Sequence, residues 1–506
     1  MTRALATLAA ALLLLPATAS AADWADGGLI TDPALRAQPV GLAVDGAGDA
    51  TLAWDGYVGG GDTSSMVRDR PFGGALGPAT TLTGPNQPAG APIANTEGDL
   101  LLLGGESYSA SRVIVRSRQP GATAFTTETL ADAGPDGRIC ALAGALGPNG
   151  EALVVYGTSP GGDTPPANTP CTLQARVRPT RAQAFGAPTP LGESERFGSG
   201  VTAGLDAQGR GYVAWYDEPA VRVRAARFDP STGFAPAETL NVPAEQPRPT
   251  PTPLLRVAAN GRVLVAFPSS RAAGGVHVAA ATGDTQTGFT PTQVISGPAV
   301  LNTNFGQDFD AAIGADGTIA LTWRAGSDAK ARIQGATAGP TELLTSAQAE
   351  ALSAFGARGP RVAVGNGRAT FAWFRLVSGV GRSIEIAYGM PGGGIGSAQR
   401  ISTSPVAVIP PVVTTASSGA TWIAWGSGPA GNGDLAAKVL KARKLTFASA
   451  SLSRTLDVLR ARTDVDGELI GPSFRVVATK NDAMLAIVDR QRTHAEFWQL
   501  RTYGER

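Results

Sequence analysis

The sequence predicts an all-β fold in which one antiparallel, four-stranded unit is repeated along the chain. Three observations carry that expectation. A phrase made of a glycine and, six positions later, a bulky and usually aromatic residue returns at intervals of about 50 to 60 residues. Glycine and proline are abundant, 65 and 37 of 506 residues, whereas charged residues make up only 16%, a balance suited to many tight turns. The segments around each phrase alternate apolar and polar residues with the period of two that a half-buried strand requires.

The phrase itself supplies the first two strands of each unit. It reads GDATLAW at Gly48 to Trp54, GRGYVAW at Gly209 to Trp215, GTIALTW at Gly317 to Trp323 and GRATFAW at Gly367 to Trp373. Further copies are Gly98/Gly104, Gly150/Tyr156, Gly261/Phe267 and Gly419/Trp425, with a degenerate one at Asp482/Val488. Four copies place Asn or Asp directly before the glycine: Asn149-Gly150, Asn260-Gly261, Asp316-Gly317 and Asn366-Gly367. That pair accepts positive φ in a two-residue hairpin turn. Upstream lies a strand such as VGLAV (Val40 to Val44) or VTAGL (Val201 to Leu205), and downstream the strand that ends in the aromatic, whose bulk suits packing between neighbouring sheets.

A third strand follows, as in VRVRAARF (Val221 to Phe228), VHVAAAT (Val276 to Thr282) and SIEIAY (Ser383 to Tyr388). The fourth opens and closes on apolar residues: Phe185/Leu191, Phe234/Leu240, Phe289/Ile295 and Ile395/Ile401. A unit of this size with four antiparallel strands resembles the blade of a β-propeller. The resemblance covers nearly all of the chain and is one of architecture. There is no GH…WD arrangement, no recurring double glycine of the kelch type, and no sialidase-type Asp-box, so it implies no particular active site.

The two ends of the chain complement one another. DWADGGLI carries Trp24 and Ile30 at the spacing of a fourth strand with no other strand before it. SFRVVAT (Ser473 to Thr479), AMLAIV (Ala483 to Val488) and AEFWQLRT (Ala495 to Thr502) read as strands one to three with no fourth after them. A shared last blade closes the ring and removes an exposed sheet edge. The expected fold is therefore a β-propeller of about eight to nine blades, with Arg454 to Gly471 an insertion assigned neither to strand nor to loop.

Residues 1–21 read as a secretory signal peptide: Arg3, an apolar run from Ala4 to Leu15 and the small-residue site Ala19-Ser20-Ala21. Residues 22–506 are expected to form one propeller domain, exported and without a membrane span, since the apolar run falls short of the roughly 20 residues a bilayer requires. Lys+Arg 42 against Asp+Glu 41 gives a net charge of +1, which lacks the basic excess that nucleic-acid binding needs. The excess of arginine over lysine with abundant Ala, Gly and Pro suggests a GC-rich bacterial genome. Cys140 and Cys171 stand at the starts of the first and third strands of one unit, and in an exported chain they are expected to form a disulfide.

Catalytic signals are thin. GTSPG (Gly157 to Gly161) matches G-x-S-x-G, but Pro160 and the prolines after it forbid the helix that a nucleophile elbow opens, so it reads as a loop. With His277 and His494 the only histidines, neither a triad nor a His-based metal site is expected. Asp464-Val-Asp466-Gly-Glu468 lacks the ligands of a complete calcium loop, and GMPGGGIG (Gly389 to Gly396) precedes a strand rather than a helix. No catalytic, cofactor or metal residue is therefore assigned. Among carboxylates, Asp308 and Asp310 alternate onto one side of a first strand near the central channel and are the acid or ligand candidates; Asp45 and Asp206 end first strands of their own. The leading expectation is a secreted binding or scaffold propeller that recognises a protein or glycan through loops on one face, with Gly297–Phe309, Ser346–Gly359 and Val242–Pro253 as candidate surfaces. The alternative is a propeller glycosidase or lyase with carboxylates at the channel mouth.

Overall fold

The computed structural model describes most of residues 24–505; the stretches outside the description are the first 23 residues and a set of connections, the longest being 297–308, 346–358 and 428–438. Every regular element among the described residues is a strand. The strands fall into nine antiparallel sheets of four to six strands. Blades 1 to 8 begin with the strands Arg36–Val44, Pro92–Ala94, Gly137–Leu146, Val201–Leu205, Leu254–Val257, Phe309–Ile313, Arg361–Gly365 and Ala407–Thr415. The ninth sheet begins with Arg475–Thr479. Each of these first strands contacts the first strand of the next sheet, and that of the ninth contacts those of blades 8 and 1, so the sheets form a closed ring around their innermost strands. The fold is a β-propeller.

Closure follows the expectation from the two ends. Trp24–Leu29 pairs antiparallel with Phe497–Glu505, which pairs with Asp482–Gln491. The N-terminal strand is thereby the outermost of the last sheet. The unassigned segment after Arg454 divides between two blades: Leu456–Arg460 continues the fourth strand of blade 8, and Gly467–Glu468 pairs with Asp482–Gln491 in the ninth sheet.

All eight glycines that open the phrase, from Gly48 to Gly419, have positive φ, which explains why glycine recurs there. The turn type departs from expectation at most of them. Asn366 and Gly367 both have positive φ and close a two-residue hairpin between Gly365 and Arg368. Elsewhere three residues form the loop, as where Gly209 N–H donates to Asp206 C=O and Asp206 N–H to Arg210 C=O. Only the glycine is left-handed in that arrangement, so the preceding Asn or Asp keeps negative φ. It is a type I turn followed by a left-handed bulge residue, the usual three-residue solution for twisted strands.

The aromatics fill the gaps between blades. Trp215 of blade 4 packs on Val155 and Leu173 of blade 3, Trp373 of blade 7 on Ala331 and Ile333 of blade 6, and Trp425 of blade 8 on Ile384 and Ile386 of blade 7. Each is at most 1% exposed. Blade 2, whose phrase ends in Gly104, instead directs Leu102 against Ala53 and Val67 of blade 1. Truncating one of these tryptophans to alanine costs about 3–5 kcal/mol in a packed core.

The fourth strand is broken in several blades. In blade 4 it pairs as Gly233–Phe234 and again as Glu238–Thr239, with Pro236 between, and in blade 5 as Gly288–Phe289 and Gln293–Val294, with Pro291 between. Proline has no N–H for the ladder. After the gap a side chain ends the pairing in a recurring way: Val223 N–H donates to Asn241 Oδ1, Val278 N–H to Ser296 Oγ and Ile384 N–H to Ser402 Oγ, each across eighteen residues.

Candidate functional site

The chain direction gives the ring two unlike ends. First and second strands are joined at one end by the glycine turns, and third and fourth strands by short reversals such as Asp229 to Gly233. The links from second to third strands, and from each fourth strand to the next blade, leave at the other end. The stretches 297–308 and 346–358, between the fourth strand of one blade and the first of the next in sequence, lie outside the described residues.

At the turn end, neighbouring blades are fastened together. Asp206, 2% exposed, accepts from the N–H groups of Gln208 and Arg210 at Oδ1, and from Arg210 Nε and the Thr285 hydroxyl of blade 5 at Oδ2. Asn95 Nδ2 donates at 2.7 Å to Gly147 C=O of blade 3, and Arg181 of blade 3 reaches back to Asp99 at 2.9 Å. Ala207 N–H donates to Ala259 C=O and Arg262 Nη1 to Gly317 C=O, each one blade onward. Backbone groups that the tight turns leave unpaired within their own sheet are thus satisfied by the next. Arg118 of blade 2 also grips Asp69 of blade 1 with two nitrogens. Burial pushes the Asp69 carboxyl up, but the hydrogen bonds from Arg118 and Thr51 and the charge of Arg118 outweigh it and leave it below its ordinary value.

The sequence-selected carboxylates separate into different settings. Asp310 accepts from its neighbour Ala311 N–H through Oδ1 and from Val362 N–H of blade 7 through Oδ2 at 3.1 Å. Asp308 lies outside the described residues. Asp45 accepts from the N–H groups of Gly48 and Asp49 within its own turn. His277 is buried in Val276–Asp284, while His494, Asp464 and Asp466 are outside the description. Among the described residues no group of three or more His, Cys, Asp or Glu side chains is placed to hold a metal ion, and no helix is long and apolar enough to cross a membrane.

Cys140 and Cys171 are joined, with Cα atoms 5.9 Å apart. They bridge the first and third strands of blade 3 over the second, where Gly157 passes beneath. A Cβ at Gly157 would lie 2.1 Å from Cys171 Sγ and 3.1 Å from Cys140 Sγ. The first glycine of GTSPG is therefore required by the disulfide. The motif also departs from the loop expected of it: residues 157–160 belong to Ala152–Pro160, because Gly137–Leu146 begins early enough to pair with Thr158, Ser159 and Pro160.

On the opposite face of blade 3, a cleft of about 600 Å³ separates it from the outer strand Thr126–Asp132 of blade 2. Leu130, Ala131 and Ala133 form one wall. The other carries Thr158 and Tyr156 on the second strand and Thr172, Gln174 and Arg176 on the third. Tyr156 takes the position held by tryptophan in five of the blades; its hydroxyl donates to Gln174 Oε1 at 3.0 Å. Asp132 and Asp136 stand exposed at the rim. The Gly134 N–H and Arg112 hold the Asp132 carboxyl below its ordinary value.

Sequence reading missed the arginine in this cleft because its signal lies in register rather than in spacing from the glycine. The third strand carries arginine opposite the residue two before the aromatic position in blades 1, 2, 3, 6 and 8: Arg68 faces Leu52, Arg116 Leu102, Arg176 Val154, Arg332 Leu321 and Arg443 Ile423. In blade 8 this side chain bridges to the preceding blade, Arg443 Nη1 donating to Ile401 C=O. Burial pulls its guanidinium below the ordinary value.

No family model matches the chain, and no curated protein sequence matches it. It is similar in structure to the WD40 domain of SCAP from fission yeast, at 10% identity over 93% of this chain and 98% of that one, with a TM-score of 0.45. It is also similar to the β-propeller domain of the Trilobed protease from Pyrococcus furiosus, at 9% identity over 72% and 98%, TM-score 0.37. Puromycin hydrolase matches at 17% identity and TM-score 0.37, and the chain spans 60% of its length. The likeness is one of propeller architecture.

Proposed function

We propose that the chain is an exported binding propeller that engages a protein or glycan through the end of the ring carrying the long connections. The difference between the two ends supports this reading above all. The turn end is short, regular and fastened blade to blade, whereas the opposite end receives the variable links on a rigid frame, which is where binding residues concentrate in such folds. The Cys140–Cys171 disulfide sits at that end and accords with an oxidising compartment. Asp310, the described member of the acid pair, is engaged by Val362 N–H in joining blades 6 and 7, a structural use that favours binding over glycoside hydrolysis.

The test is a binding and turnover screen of the purified protein against polysaccharides, oligosaccharides and extracellular proteins. Binding without hydrolysis is expected, abolished when residues 346–358 are replaced by a Gly-Ser stretch of equal length and kept when the turn Asn366-Gly367 is changed to Gly-Gly. Reproducible hydrolysis lost in Asp310→Asn, with the melting temperature retained, overturns the binding reading.

A further inference from the structure

We infer that the outer edge of blade 2, the strand Thr126–Asp132, is a docking site for an extended peptide segment of a partner protein, which adds to the sheet as a further strand and directs a side chain into the cleft between blades 2 and 3. The site lies on the outer side of the ring, so the inference goes beyond the reading of the ring's end and does not rest on it.

The fourth strand of a blade is a sheet edge, and an unprotected edge is a template for another strand. Most edges of this ring are protected. The pairing of the fourth strand is interrupted in blades 4, 5 and 7, and Pro190 stands within that of blade 3. Thr126–Asp132 is the longest of the described fourth strands without a proline, and no described strand pairs with its far side. Its threonines favour extended backbone. Its one irregularity falls at Leu130, whose side chain turns into the core, and Thr126 to Thr129 stay in regular register.

The hydrogen-bond alternation shows which backbone groups of this edge are free. In blade 4, Leu240 N–H donates to Val223 C=O and Ala235 N–H to Arg227 C=O, so the third strand turns every second residue toward the fourth. Val223 and Arg227 lie opposite Tyr216 and Tyr212, one after the aromatic position and three before it. In blade 2 those positions belong to Val113 and Ser117, with Val115 midway. Val115 and Ser117 face Glu128 and Thr126. The N–H and C=O groups of Thr127 and Thr129 therefore turn outward, and both residues are exposed. Pro190 holds the place of Thr129 in blade 3: each pairs with the third-strand residue opposite the aromatic position, Gln174 and Ile114 respectively. Blade 3 thus has no N–H where blade 2 offers one. An extended polypeptide carries N–H and C=O at the spacing that such an edge requires, whereas a sugar chain does not.

The cleft is the second observation. Leu130, Ala131 and Asp132, at the end of this same strand, line it, and the second and third strands of blade 3 form its other side. Side chains of an added strand alternate between its two faces, and one set points toward blade 3. There the cleft of about 600 Å³ has room for a side chain and offers the hydroxyls of Thr158 and Thr172 beside the amide of Gln174. Gln174 Oε1 is taken by the Tyr156 hydroxyl, so its N–H groups are the ones left to donate. These groups suit an amide or hydroxyl side chain on the incoming segment.

The probe is a phage-displayed library of random peptides selected on the purified protein, the strongest binder then being synthesised and titrated by calorimetry. Thr129→Pro, which gives blade 2 the proline that blade 3 has, is expected to weaken that peptide at least about tenfold. Thr239→Pro, at the same position in the interrupted strand of blade 4, is expected to leave affinity unchanged, and melting curves establish that both variants are folded. N-methylation of the peptide at every second residue gives a readout that needs no protein variant. One phase of methylation is expected to abolish binding and the other to keep it, because successive amides of an added strand alternate between sheet and solvent. Replacing residues 346–358, the change that tests the reading of the ring's end, is expected to leave this binding unchanged. A library that yields no binder, affinity indifferent to Thr129→Pro, equal loss in both methylation phases, or loss on replacing 346–358 overturns the inference.

Discussion

The two ends of the ring are fastened by different means, between blades at one end and within a blade at the other. At the turn end the fastening is distributed: Asp206 to Thr285, Asn95 to Gly147 and Arg262 to Gly317 each join one blade to the next with short-range polar contacts. At the connection end of blade 3 it is concentrated in one covalent bond that ties the first strand to the third across Gly157. Distributed fastening leaves no single indispensable contact but fixes every turn. Concentrated fastening leaves the adjoining links free to vary in length, and it makes blade 3 dependent on one pair of residues.

The largest effect is expected at the concentrated site. Replacing both cysteines by serine should cost roughly 3–4 kcal/mol on the loop-entropy model for a 31-residue separation, read as a lowered denaturation midpoint under non-reducing conditions. Gly157→Ala should have a similar consequence without touching either cysteine, and peptide mapping should then show part of the protein with free thiols. A Gly157→Ala protein as stable as the parent, fully oxidised, would show that the backbone yields there.

Next comes Asp206→Ala at the turn end, which strips four donors of their acceptor in a buried setting and is expected to cost roughly 3 kcal/mol. Asp206→Asn should cost less, because one oxygen remains for the backbone N–H groups. If both variants unfold at the parent's urea midpoint, the turn end is not the fastening described above. Asp310→Ala should cost about 1 kcal/mol through the lost Val362 contact, and Asp310→Asn close to nothing, since an amide oxygen still accepts.

The smallest effect concerns acid. Asp69 is held below its ordinary value in the folded chain, so its partnership with Arg118 stabilises at pH above the unfolded carboxylate value of about 3.9 and is lost as pH falls through the lower folded value. Its carboxylate is 44% exposed, and solvent screening keeps the gain to a fraction of a kcal/mol. Melting curves of the parent and Asp69→Asn between pH 6 and pH 2.5 should differ at the upper end and converge at the lower. A gap that persists or widens in acid contradicts the assignment.

What the sequence made legible was whatever repeats at fixed spacing within a strand or a turn. The glycines had to be left-handed, the aromatics had to lie between blades, and Trp24 to Leu29 had to find the C-terminal strands, because each follows from one residue type at one position. The turn geometry was misjudged where Asn149, Asn260 and Asp316 precede glycine, since the dipeptide fits two turn classes and only the closing pair of strand residues distinguishes them. The eighteen-residue partnership of Val278 with Ser296, and of Ile384 with Ser402, escaped notice because it spans a whole reversal. Arg176 and its cleft were not legible at all. The cleft's lining comes from two blades and is brought together only by the folded ring.

The pairing that closes the ring has a mechanical consequence. Trp24 lies opposite Glu505, so the two ends of the described chain emerge side by side from the same end of one antiparallel pair. A force pulling them apart acts along the line of the hydrogen bonds joining the two strands and loads those bonds one after another rather than together. The last blade is therefore built to unzip under tension between its ends, peeling away the N-terminal strand first.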